Sequence, residues 1–341
     1  NNILIYGADD VSYKTALSLT STSQNKIYGF FDSNNNKSIG KKMLGVSIYS
    51  YNEIEKLINK FQINQIVLAK SELLRAEMRS VVDDLEKYNV HIKTLKLNAE
   101  NINTDIKVSD ISNIQITDII GEKIEYRKQF LLNEFKNQII LVTGAGGSIG
   151  SELCRQLLFA NPDEIILVDN SEFNLFNIVN EIERIKSKNN ITTKLKKYLG
   201  SVRDYKRMNK IFQDNLPNQV FHAAAYKHVN LVEENIIEGV TNNIFGSKNI
   251  IDLSIKVPSV KKFVLISSDK AVRPLNFMGK SKRIVEMYLQ TLSKKSKDKK
   301  LAIVRFGNVF NSSGSVIPLF QKQIEEGGPV TVTSKNVTRY F

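Results

Sequence analysis

Apolar runs of strand length alternate with stretches of helical period along the whole chain, and they do so in two rounds. In the first round, Ile3–Gly7, Ile27–Asp32, Gln65–Ala69 and His91–Leu97 read as strands, with helical stretches near Ser50–Phe61 and Ser71–Tyr88. In the second, the strands are Gln138–Thr143, Glu164–Asp169, Gln219–Ala225, Lys262–Ser268 and Leu301–Phe306. Their near-continuous Ile, Val and Leu suit central strands buried on both faces. Helical stretches follow them at Ser151–Ala160, Glu172–Lys188, Tyr205–Asn215, Gly239–Ile255 and Gly279–Leu292. Alternation of this kind builds parallel sheets covered by helices. The pattern therefore predicts an α/β chain of two doubly wound domains: residues 1–100, a linker over 101–136 without clear period, and a larger domain over 137–341.

Composition narrows the setting. The 341 residues carry a formal charge of +13, yet the basic residues are scattered. The densest run, Lys294–Lys300, is short and holds Asp298, so it reads as a solvated loop and no nucleic-acid partner is expected. Cys154 is the single cysteine, which rules out an internal disulfide framework and a cysteine-based zinc site. No metal is expected. No apolar run approaches the ~18 residues of a membrane helix. The chain opens directly on a strand without Met and ends at Phe341 without a tail, and so reads as a fragment.

The sharpest motif is Thr143-Gly144-Ala145-Gly146-Gly147-Ser148-Ile149-Gly150, between a strand and a helix. That context is what a dinucleotide-binding turn requires. Gly144 permits the tight turn, Gly147 the approach of backbone to a pyrophosphate, and Gly150 close helix packing. The helix N terminus, entered through Ser148 and Ile149, offers N–H groups to the anion. Asp169, 19 residues past Gly150, ends the next strand and is followed by Asn170 and Ser171. An acid there can bond an adenosine ribose and would repel the extra phosphate of NADP, so NAD is the expected cofactor. As an alternative, Asp169 caps the following helix. The first domain has only Gly7-Ala8-Asp9-Asp10, whose carboxylates would repel a phosphate, and is expected to hold no dinucleotide.

Ser267-Ser268-Asp269-Lys270 ends a buried strand, where α/β sheets place their ligands, and Met278-Gly279-Lys280-Ser281-Lys282 follows on a helix. Together with the glycine turn, His222-Ala223-Ala224-Ala225-Tyr226-Lys227-His228-Val229 and Arg305-Phe306-Gly307-Asn308-Val309, these segments resemble the extended short-chain dehydrogenase/reductases. More narrowly, they resemble the membrane-associated nucleotide-sugar 4,6-dehydratases of bacterial capsule and glycan synthesis, such as those acting on UDP-N-acetylglucosamine. The resemblance covers essentially the whole chain. It implies two Rossmann-like domains, the second an extended short-chain dehydrogenase/reductase fold. It also implies a UDP-sugar substrate, a homo-oligomer, and attachment to the cytoplasmic face of the inner membrane through N-terminal helices absent from this chain. The fragment itself is expected to be soluble.

The superfamily's base is a tyrosine four residues before the lysine; here Met278 precedes Lys282, and none of the twelve tyrosines has a lysine at that spacing. The loss could mean a dead enzyme, but in the dehydratase subfamily Met is normal. The resemblance assigns Asp269 as acid toward O6 and Lys270 as base toward C5. That role requires Lys270 to be neutral, which a closed site beside Lys282 and the cofactor's positive ring favours. Ser268 would bond the 4-oxygen, and Lys282 the nicotinamide ribose. Asp269 directly, or Ser268 relaying, could take the O4 proton. Taken alone, Ser268–Lys270 equally suits a strand-end turn with a solvated ion pair.

Asp204 resembles an adenine-contacting acid, or caps a helix. Ala223, Ala224 and Ala225 let backbone lie against the cofactor. Lys227 and Asn243 are placed at the sugar, although a helix asparagine bonding backbone suits Asn243 as well. The resemblance also implies that Asn308, Ser315 and Val316 fall in segments holding the nucleotide diphosphate, with Arg339 a cation near it. Two other classes compete: a 4-epimerase or reductase, which would normally keep the tyrosine, and a non-catalytic NAD-binding protein.

Overall fold

Strands rich in Ile, Leu and Val are buried between amphipathic helices in two compact units, Asn1–Glu125 and Tyr126–Phe341. The computed structural model describes all residues except 22–24, 34–36, 72, 96–105, 115–117, 119–127, 310–311, 313–315, 333 and 335–341, and the side chains of 75 and 128–131.

The first unit runs β1 (Asn2–Tyr6), α1 (Asp10–Thr20), β2 (Lys26–Asp32), β3 (Lys42–Met43), β4 (Val46–Ser50), α2 (Ile54–Phe61), β5 (Gln65–Leu68), α3 (Arg75–Leu85), β6 (His91–Leu95) and β7 (Ile111–Asn113). The sheet order is β3-β4-β2-β1-β5-β6-β7, with β3 and β7 antiparallel to their neighbours. Residues 111–113, read from sequence as linker, thus form a sheet edge; three residues are too few to show an alternation. Helix α1 escapes the sequence pattern because its buried face mixes Val11, Ala16 and Leu19 with Ser12 and Thr15.

The turn after β1 differs chemically from an anion cradle. The Asp9 carboxylate caps α1, accepting the Ser12 N–H (3.0 Å) and hydroxyl (2.9 Å) and the Ser71 N–H (2.7 Å) and hydroxyl (2.6 Å). Burial opposes its charge, but these bonds outweigh that and hold the carboxyl below its usual range. A protein carboxylate sits where a helix N terminus would otherwise face an external anion.

The second unit runs α4 (Lys128–Phe135), β8 (Ile139–Thr143), α5 (Ser148–Phe159), β9 (Glu164–Asp169), α6 (Glu172–Lys188), β10 (Lys194–Leu199), α7 (Tyr205–Asn215), β11 (Gln219–His222), α8 (Val229–Glu234), α9 (Ile236–Gly239), α10 (Ser247–Lys256), β12 (Lys262–Ser268), α11 (Phe277–Ser293), β13 (Lys300–Phe306) and α12 (Val316–Glu325). All six strands are parallel, in the order β10-β9-β8-β11-β12-β13. Alternate residues feed two cores: Leu141, Ile166, Val220 and Phe263 pack with α7, α10 and α11, while Ile140, Val142, Ile165 and Leu167 pack with α5 and α6. The edge strand β10 has no apolar run because Lys194, Lys196 and Lys197 interrupt it.

Strand order reverses between β8 and β11, where Thr143 and His222 stand side by side. A crevice opens outside the carboxyl ends at such a switch point. The helix expected over 239–255 is divided: Val240–Gly246 is a π-helical turn between α9 and α10. Widened turns of this kind occur often at functional sites. No described helix is long and apolar enough to cross a membrane.

Candidate active site

A cavity of about 1180 Å³ occupies the switch point. One wall is the N terminus of α5. Gly144 turns the chain out of β8 at φ +66°, and a Cβ there would lie 2.7 Å from the Ala224 nitrogen. At Gly150 a Cβ would lie 2.0 Å from the Gly144 oxygen. The turn is therefore closed against its own backbone and against Ala223–Ala224. Gly147 begins α5 without a side-chain cap, and Gly147, Ser148, Ile149 and Gly150 line the cavity. Asp169 fixes this turn from β9: its carboxylate, 6% exposed, accepts the Gly146 N–H (2.9 Å) and the Ser171 N–H (2.9 Å). Asp169 and Asn170 also border a smaller adjoining groove, together with Gly200, Ser201, Val202 and Ala224. Ser171 caps α6 and lines neither space.

The opposite wall is built from the end of β12 and the start of α11. Ser268 Oγ donates to Asp269 Oδ1 (2.9 Å) and accepts the Lys270 N–H (3.2 Å), while Lys270 Nζ pairs with the same Asp269 oxygen (3.0 Å). Partial burial works against the Asp269 charge, yet hydrogen bonds from Lys270 and Ser268 hold its carboxyl below the ordinary range. Asp269 is thus ionised at neutral pH. Met278 and Lys282 sit one turn apart on α11, so both face the cavity. Lys282 donates to the Ile266 carbonyl (3.0 Å), and burial lowers its pKa to about 8 against an opposing pull from Glu286.

Residues 140–341, more than half of the chain, match the family described as polysaccharide biosynthesis protein. The chain belongs to that family. It is 39% identical over 298 residues to the capsular polysaccharide biosynthesis protein CapD of Staphylococcus aureus, covering 87% of this chain and 49% of CapD. It is also 39% identical over 302 residues to the probable polysaccharide biosynthesis protein EpsC of Bacillus subtilis, covering 88% of this chain and 50% of EpsC. The chain spans about half the length of these curated relatives. Among solved structures, Pen from Bacillus thuringiensis is similar at 35% identity and a TM-score of 0.55, covering 60% of this chain and 63% of Pen.

This family member brings Gly147–Gly150, Ala223, Ala225, Lys227, Ser268, Lys270, Met278, Lys282 and Asn308 to one cavity, although their sequence positions span most of the unit. Asp269 stands beside it through its bonds to Ser268 and Lys270. Other expected site residues stand elsewhere. Asp204 does not border the groove: its carboxylate caps α7 by accepting the Arg207 N–H (2.9 Å), and Ser201 and Val202 line the groove instead. Asn243 does not line the cavity. It is fully buried in the π-helical turn, where it accepts the Tyr226 N–H (2.8 Å) and donates to the Tyr226 carbonyl (3.0 Å) and Ser281 Oγ (3.2 Å). Its work is to hold the loop that presents Lys227, whose ammonium burial destabilises. Val316 opens α12 and does not line the cavity; Ser315 and Arg339 lie outside the described residues.

Asn243→Ala is expected to destabilise the second unit by about 1 kcal/mol, because it removes both hydrogen bonds that Asn243 makes to the part-buried Tyr226 peptide group. The midpoint of urea unfolding measures this; an unchanged midpoint would show that water or another group satisfies that peptide.

No cluster of three or more His, Cys, Asp or Glu able to hold a metal ion occurs among the described residues. His222 is buried and neutral: burial pushes its pKa down to about 3, and Thr143 Oγ1 (2.7 Å) and Ser247 Oγ (2.8 Å) pair with its two nitrogens. Sequence reasoning passed over Glu286, buried under this site; a lone acid on the apolar face of α11, four residues after Lys282, was the available signal.

Proposed function

We propose that the second unit is an NAD-dependent nucleotide-sugar 4,6-dehydratase, acting on a UDP-sugar such as UDP-N-acetylglucosamine in surface polysaccharide or glycan synthesis. The observation that carries the reading is the convergence of Ser268, Lys270, Met278 and Lys282 on a cavity whose other wall is an uncapped helix N terminus. A thioether at 278 can neither accept nor donate a proton, so the acid–base chemistry falls to the turn at 268–270.

The residues fit NAD. The closed glycine turn leaves no room for side chains at Gly144 and Gly150, and the start of α5 faces the cavity with its positive dipole end. Asp169 supplies a carboxylate suited to a ribose diol and hostile to an additional phosphate. When bound, NAD supplies a hydride acceptor for sugar C4 and a donor for C6.

The chain's own groups supply the protons. Ionised Asp269, reached directly or through Ser268 Oγ, accepts the proton of the 4-hydroxyl. It thereby becomes the acid that the departing O6 needs, and the O6 oxygen leaves as water. Lys270 takes the C5 proton, made acidic by the neighbouring 4-ketone, and returns it to C5 after C6 is reduced. Every proton taken is given back to the sugar or leaves in the one water. The ammonium of Lys282, anchored on Ile266, favours negative charge on O4.

Incubating the protein with NAD and UDP-N-acetylglucosamine is expected to give a product lighter by one water, read by mass spectrometry. An unchanged mass with inverted C4 would replace this reading with an epimerase. A pH dependence follows as well. The Lys282 charge is present below its pKa of about 8 and is lost as pH rises through it, so kcat/KM is expected to fall on that limb. Lys282→Met is expected to flatten the limb; a limb unmoved in that variant would assign it to another group.

A further inference from the structure

Beneath the reacting turn lies a buried acid that the proton steps above do not use. Glu286 is 0% exposed, one turn after Lys282 on α11. A carboxylate offers about four acceptor sites, and four donors fill them. Oε1 accepts from Ser267 Oγ (2.7 Å) and Arg305 Nε (2.8 Å), and Oε2 from Arg305 Nη2 (2.6 Å) and Arg283 Nη1 (3.1 Å). Burial alone would raise its pKa, but the bonds from Arg305, Ser267 and Arg283 hold it down to about 2.

These donors come from three elements. Ser267 precedes Ser268 on β12, Arg305 stands directly opposite Ser267 on β13, and Arg283 follows Lys282 on α11. The ammonium of Lys282 is tied to Ile266 on the same strand end. We propose that Glu286 is a positioning residue: through Ser267, Arg305 and Arg283 it locks the strand end bearing Ser268 to the helix bearing Lys282, and its charge sustains the Lys282 ammonium in a buried place. Among the described residues, Glu286 on its own helix acts on the Lys282 charge, His222 from β11 is kept neutral by burial, and Lys227 and Lys270 share the cavity in front of it. The net charge behind the lysine is therefore set by Glu286 and its two arginines.

The inference rests on the role given to Lys282 above, but its test needs no turnover. Competitive labelling with acetic anhydride across pH, read on the Lys282 peptide by mass spectrometry, follows that amine directly. In Glu286→Gln the titration midpoint of Lys282 is expected to fall by about one unit, a tenfold loss of proton affinity. Glu286→Asp is expected to restore it toward the parent value. Arg305→Gln, at a side chain 40% exposed, leaves Glu286 less neutralised and is expected to move the midpoint upward. A structural role alone would not produce opposite signs. Equal midpoints in folded Glu286→Gln and the parent chain, or a downward shift in Arg305→Gln, would overturn the inference. If Glu286→Gln does not fold, the sign in Arg305→Gln decides. A parent chain that loses no water from the sugar would sink the dehydratase reading and leave this measurement standing.

Discussion

Replacing Lys270 with Ala is expected to abolish solvent deuterium exchange at sugar C5 and to cut the rate of water loss by about a thousandfold, within the range for removal of a positioned general base. The effect should be chemical rather than structural. Lys270 lies in a tight turn after β12 whose geometry depends on its backbone: its N–H donates to Ser268 Oγ, and its carbonyl packs against Gly279. Alanine keeps both. The lost ion pair with Asp269 joins two side chains 38% and 51% exposed, and pairs of that kind contribute little to stability. NAD binding is expected to survive, since the glycine turn of α5 belongs to the other wall. The diagnostic pattern is therefore a folded, NAD-binding protein that accumulates no dehydrated sugar. Exchange at C5 that continues undiminished would remove Lys270 as the base. Asp269→Asn separates the second carboxyl function. It should retain C5 exchange only to the extent that the 4-ketone still forms, because the same carboxyl group is assigned both the O4 and the O6 proton.

The sequence carried the scaffold of this site better than its fine allocation. Glu164–Asp169, Glu172–Lys188, Tyr205–Asn215 and Lys262–Ser268 have the spans read from the apolar pattern, because each strand is buried on both faces and each helix keeps a continuous apolar stripe. Pattern failed where burial was one-sided or short. The lysine-studded edge strand β10, the Ser- and Thr-rich α1 and the three-residue β7 have no periodic signature. The glycine turn was legible since backbone geometry leaves so few residues to choose from. Asp204 and Asn243 were less so. A carboxylate after a strand and an amide on a helix each suit either a ligand or a protein partner, and only the folded positions show Asp204 spent on backbone and Asn243 on the Tyr226 backbone and Ser281. The Glu286 cluster was hidden for a related reason: its donors come from residues 267, 283 and 305, and nothing in their sequence spacing brings them together.

Gly150→Asp is expected to lower NAD affinity more than a hundredfold, which corresponds to about 2.8 kcal/mol. Any Cβ at 150 would stand 2.0 Å from the Gly144 oxygen and 2.8 Å from its carbonyl carbon. These neighbours are backbone and cannot rotate aside. Gly144 cannot retreat, because its left-handed turn is packed so close to Ala224 that even a Cβ at 144 would stand 2.7 Å from the Ala224 nitrogen. The helix start must move instead, and with it the N–H groups offered to a diphosphate; overpacking of this order costs about 1–3 kcal/mol before any charge effect. Gly147→Asp isolates the charge. There a Cβ meets nothing closer than 3.3 Å, so the turn can keep its shape while a carboxylate enters the cavity at the mouth of α5. That variant should unfold at the parent temperature and still bind NAD at least tenfold more weakly, by isothermal titration calorimetry. If both variants bind NAD as tightly as the parent chain, the cofactor lies elsewhere, and the roles given to Lys270, Asp269 and Lys282 lose the reactive ring they are meant to face.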